Sequence, residues 1–142
     1  MKNEKGITLM TIIIYVIAVF ALLGTISVLT NFFHKNVQVV TSESILEAEY
    51  NKFNMQFLDD IKKEGNKIQT INSNYISFSN GSVYTISNNK IYRNSVAIAE
   101  YAETLVFKKS VVGNDITIIE VIIEFENKNG AMTKTEKYTL SN

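Results

Sequence analysis

The sequence predicts an α+β protein. One long amino-terminal helix, membrane-spanning in its first half, packs by its second half against an antiparallel β-sheet. Three observations carry this. Residues 7–33 contain no Asp, Glu, Lys, Arg or His. Residues 46–61 repeat large apolar side chains every three or four positions. From residue 67 onward, short β-rich runs alternate with turns rich in Asn, Ser and Gly.

The uncharged run is about 40 Å of helix at 1.5 Å per residue, whereas a hydrocarbon core needs about 20 residues. Its Ile, Leu, Val and Phe side chains are each worth about −0.3 to −0.6 kcal/mol at mid-membrane, roughly −5 to −10 kcal/mol together as an upper bound. An ordinary secretory leader has a shorter apolar core followed by a small-residue cleavage site. Here the run is too long and Gly6 precedes it. Lys2, Lys5 and the terminal amine outweigh Glu4, so the short basic flank is expected to stay in the cytoplasm. Everything from His34 onward is expected outside the inner, or only, membrane.

After His34 the spacing becomes amphipathic. Leu46, Tyr50, Phe53, Phe57 and Ile61 form one stripe. Glu47, Glu49, Lys52, Asp59, Asp60 and Lys62 are expected on a solvated face. Lys62 and Lys63 in the last turn, followed by Gly65, make a coherent helix stop. The β-branched stretch 37–41 is a weak helix former but forces no break.

Strands are predicted at residues 75–79, 83–86, 91–93, 96–99, 104–110, 116–127 and 132–140. Asn80-Gly81 and Asn129-Gly130 read as two-residue hairpin turns, because both residues tolerate positive φ. Short connections predict antiparallel neighbours in one sheet. In residues 117–125 one face carries Ile119, Val121, Ile123 and Phe125 and is expected against the helix stripe. The other mixes Ile118 and Ile122 with Glu120 and Glu124.

Composition narrows the function. The chain has 142 residues, a formal net charge of +0, no Cys and no Pro. It allows one membrane helix and one modest domain, offers no disulfide or thiol chemistry, and makes no electrostatic case for nucleic acid. Catalytic residues, metal and cofactor are not expected. The sole His, His34, has no Cys or second His with which to hold zinc. Asn114 and Asp115 are weak candidates for calcium oxygens. Lys62, Lys63, Lys67, Lys90, Arg93, Lys108 and Lys109 would make a basic edge only if the fold gathered them, with Tyr92 beside Arg93 for stacking.

Lys5-Gly6-Ile7-Thr8-Leu9, running into the uncharged segment, resembles the start of type IV prepilins and pseudopilins. The resemblance implies a leader at residues 1–6 and a transmembrane and filament-core helix at 7–33. Its amphipathic continuation would occupy 34–64 and a sheet domain 65–142. It implies cleavage between Gly6 and Ile7 by a prepilin peptidase, with Lys5 supplying leader charge, and N-methylation of Ile7. The implied partners are other pilins or pseudopilins, an inner-membrane assembly platform and membrane lipid. The family usually carries Glu at the fifth mature position, here Thr11, and often a Pro in the apolar run. The loss of Glu is typical of a subunit at a filament tip; neutral variation is the alternative. Ile91-Tyr92-Arg93-Asn94-Ser95-Val96-Ala97-Ile98-Ala99-Glu100, with Leu105 and Phe107, also resembles a hairpin of minor prepilin-like proteins. The expected function is therefore a minor pilin-like structural subunit of a pilus, type II secretion or competence filament. The alternatives are an uncleaved membrane-anchored binding domain and a DNA-binding module of an uptake pilus.

Overall fold

A computed structural model describes residues 3–112 and 116–141. Lys2 of the leader and the calcium candidates Asn114 and Asp115 lie outside the described residues. Helix α1 (Asn3–Lys62) is followed by β1 (Ile68–Asn72), β2 (Tyr75–Phe78), β3 (Val83–Ser87), β4 (Lys90–Arg93), β5 (Val96–Glu100), β6 (Ala102–Val112), β7 (Ile116–Asn127) and β8 (Gly130–Ser141). The chain forms two compact units, residues 1–39 and 40–142.

The first unit is helix throughout its described length, and its apolar side chains are exposed. It is long and apolar enough to cross a membrane, with a mean hydropathy of 2.8 over its most apolar stretch. The helix bonds its own backbone. Thr25, Ser27 and Thr30 donate their hydroxyls to the carbonyls of Leu22, Leu23 and Ile26 at 2.8 to 2.9 Å. These side chains thereby ask nothing of a lipid surround, which has no hydrogen bonds to give.

In the second unit, the helix from residue 40 to 62 packs on two antiparallel sheets. Leu46, Tyr50, Phe53, Phe57 and Ile61 are all buried, as the periodicity predicts. The helix ends at Lys62, two residues before the expected end at Glu64, and Gly65 takes the left-handed conformation with φ 74°. On β7, Thr117, Ile119, Val121, Ile123 and Phe125 are buried and alternate with less buried residues. Phe57 sits at the centre. Its ring stacks on Phe53 at 5.1 Å and on Phe107 at 5.8 Å, and meets Tyr84 and Tyr138 edge-on at 5.0 Å. Phe57→Leu should cost about 2 to 3 kcal/mol, because several aromatic pairs are lost and a void opens. The check is the shift of the urea midpoint.

Two expectations need correction. The strands do not form one sheet. They form a five-stranded sheet, β1-β2-β3-β4-β5, and a three-stranded sheet, β6-β7-β8. The break falls at Tyr101, whose left-handed φ of 63° swings the chain out of register between β5 and β6. The Asn-Gly pairs are also not two-residue positive-φ turns. Gly81 alone of the first pair has positive φ, in a longer loop, and neither Asn129 nor Gly130 does. There the Asn127 carboxamide shapes the turn by accepting the Asn129 N–H at 3.0 Å. Asn88-Asn89 and Asn94-Ser95 make the tight turns instead, with φ from 49° to 69°. A strand at β1 was not separately predicted; its polar, bulged sequence gives little alternation.

Candidate functional site

The sequence-predicted processing residues lie near the start of α1. The backbone of Lys5, Gly6 and Ile7 is helical, since the helix begins at Asn3. Thr11 stands one turn further on and is exposed. Beyond it, residues 12–33 are exposed and carry no charged side chain, so this stretch offers a small ligand no ion pair. Its chemistry is that of a lipid-facing or helix-facing surface.

The polar chemistry of the second unit gathers at the carboxyl end of α1, and the sequence reading missed it. Asp60 was expected on a solvated face, but it is 4 % exposed. Arg93 grips it with two hydrogen bonds, Nε to Oδ2 at 2.8 Å and Nη2 to Oδ1 at 2.9 Å. Tyr84 donates its hydroxyl to Oδ2 at 2.5 Å and Asn80 its amide to Oδ1 at 2.9 Å. Asn66 donates to the Asp60 carbonyl at 2.6 Å. Burial raises the Asp60 pKa, but hydrogen bonds from Arg93, Tyr84, Ser82 and Asn80 outweigh it and hold the carboxyl down at about 2. Burial and the adjacent carboxylate push the Tyr84 hydroxyl up. Each charge in this cluster is met by a partner, so it fastens the helix end to β3 and β4 rather than leaving a group free to react.

Glu49 was likewise expected in solvent and is buried, at 8 % exposure. It accepts the Glu100 N–H at 2.8 Å and pairs with Lys52. A signal for both misplacements exists in the spacing. Glu49 lies three residues after Leu46, and Asp60 three after Phe57, so both fall beside the buried stripe. Asp59 is exposed as expected, and Glu47 pairs with Lys134 at 2.8 Å. Lys134 also lies over the Tyr50 ring at 5.3 Å.

Three of the seven cations of the expected basic edge are paired with carboxylates. Arg93 is held by Asp60, Lys90 by Glu100 at 2.5 Å, and Lys108 stands 3.7 Å from Glu120. Lys62, Lys63, Lys67 and Lys109 are exposed. His34 is exposed on the helix. Among the described residues no three His, Asp or Glu side chains converge as metal ligands.

Compared with models of protein families, with characterised proteins and with solved structures, the chain matches none.

Proposed function

We propose that this chain is a minor pilin-like subunit of a type IV pilus-family filament, made as a membrane-anchored precursor and processed at Gly6-Ile7. The observation that carries the reading is the run Lys5-Gly6-Ile7-Thr8-Leu9 at the head of a single helix, Asn3–Lys62. The antiparallel sheets on the second half of that helix support it. The apolar segment first anchors the subunit in lipid and later exchanges lipid for neighbouring helices. Exchange is favourable through packing rather than through release of water, because lipid tails are already apolar. The sheet unit supplies lateral contacts. A DNA-binding role draws no support from Arg93, whose guanidinium is occupied by Asp60.

Intact-mass measurement of the chain from its own membranes tests the reading. Loss of residues 1–6 with gain of one methyl supports it; a chain that begins at Met1 favours an uncleaved anchor. Thr11 bears on position in the filament. Glu at that place neutralises a neighbour's terminal amine in the family, and an ionised group in the bilayer is costly unless it has such a role. Thr11→Glu should therefore shift the subunit from the tip into the shaft, raising its share of sheared filaments several-fold. Unchanged filament composition would leave Thr11 as neutral variation.

A further inference from the structure

The four sheet edges are not protected alike. Strand β1 is short and bulged between Ile68 and Thr70. Strand β5 is short, its hairpin is bulged, and Glu49 takes its last N–H. Strand β6 is tied across its edge, with Phe107 N–H on the Ser73 carbonyl at 2.8 Å and Ala102 N–H on the Asn89 carbonyl at 3.0 Å. Among the described residues, only β8 lacks these devices. It is 12 residues long, it pairs with β7 without a bulge, and it contains no Pro. Among the described residues its backbone bonds no element but β7. Natural proteins blunt such edges, because a row of open N–H and C=O groups is a template for another strand.

We infer that β8 is a self-association edge, and that its occupant is β8 of a second copy of this chain, antiparallel and centred on Thr135. The charge pattern selects both occupant and register. Successive residues alternate faces, so Lys134, Glu136 and Tyr138 share one face while Thr133, Thr135 and Lys137 share the other. A two-fold axis normal to the sheet keeps each face on its own side, so only registers centred on a residue are allowed. Centring on Lys134, Glu136 or Lys137 sets that charge against its own copy. Centring on Thr135 sets Lys134, which also pairs with Glu47 of its own chain, opposite Glu136 of the second copy, twice. It also sets Met132 opposite Tyr138, and aligns nearly the whole strand. Opposite charges directly across an antiparallel pair are favourable and like charges are not. Lysines alone would guard this edge; Glu136, which is exposed and shares the face of Lys134, makes that face complementary. The zero net charge of the chain removes the long-range repulsion that separates many like molecules. The joined product is a six-stranded sheet made of two three-stranded ones.

The inference is independent of leader processing and of filament entry. It is tested on the full chain in its membranes by oxidative cross-linking, which the absence of native Cys makes clean. Thr135 is exposed and would face its own copy across the axis, at a Cα separation of about 4.5 to 5.5 Å that a disulfide spans. Thr135→Cys should give a disulfide dimer, at least about fivefold more than Thr139→Cys, whose two copies stand roughly 27 Å apart in this register. Adding Glu136→Lys to Thr135→Cys places lysines opposite each other twice and should cut the dimer at least about fivefold. Equal yields from Thr135→Cys and Thr139→Cys would overturn the inference. So would a dimer that Glu136→Lys leaves undiminished.

Discussion

Gly6→Val should leave residues 1–6 attached to the whole population of the chain. The proposed cut falls after a residue with no side chain. Valine places a β-branched group next to the scissile bond, where the resemblance calls for glycine. Insertion should be unaffected, since the uncharged run from residue 7 is untouched and the basic flank keeps Lys2 and Lys5. The expected result is thus a membrane protein of full precursor mass, without the added methyl, in the same amount as the parent. A product of mature mass from this variant would sink the proposal. Loss of the protein from the membrane fraction would mean that insertion, not processing, had been changed, and Gly6→Ala would then serve as the milder substitution.

Asp60→Ala should destabilise the second unit by about 3 to 5 kcal/mol, a large part of the stability of an ordinary domain. The cost comes from what is left behind. Arg93 loses both bonds of its fork, and the Tyr84 hydroxyl and the Asn80 amide lose their acceptor. The low end is favoured because the Arg93 side chain is 34 % exposed and water can meet part of its charge. The same carboxylate sets an acid limit. Its pKa falls from 3.8 when unfolded to about 2 when folded. Its contribution is therefore fully present above about pH 4 and is lost as pH falls toward 2, worth about 2 kcal/mol. Urea unfolding followed by tyrosine near-ultraviolet dichroism at pH 7 and pH 2.5 checks both parts. The variant should lose this part of the acid sensitivity along with the stability. A change below 1 kcal/mol at pH 7 would show the cluster to be dispensable.

Much of the fold is legible in the sequence. The stripe Leu46, Tyr50, Phe53, Phe57 and Ile61 and the β7 face Ile119, Val121, Ile123 and Phe125 are buried where periodicity places them. Both signals are local and repeated, so one misreading does not erase them. The turns were less legible. Asn-Gly raises the odds of positive φ, but the Asn127 carboxamide imposed another geometry at one pair, and Asn94-Ser95 turned tightly without any Gly. The candidate polar cluster was legible only in the spacing that sets Asp60 three residues after Phe57, beside the buried stripe. Asp60 is a helical carboxylate beside exposed Asp59, and its partners Asn80, Tyr84 and Arg93 come from far along the chain.

The apolar helix of spanning length, its amphipathic continuation and the antiparallel hairpins can be read along the chain, because each depends on residues a few positions apart. The division of the strands into two sheets at Tyr101, the inward turn of Asp60 and Glu49, and the open edge of β8 arise only on folding. Those outcomes depend on distant groups arriving at the same place. A buried charge or an unpaired strand edge is defined by its surroundings, and no stretch of chain carries its surroundings with it.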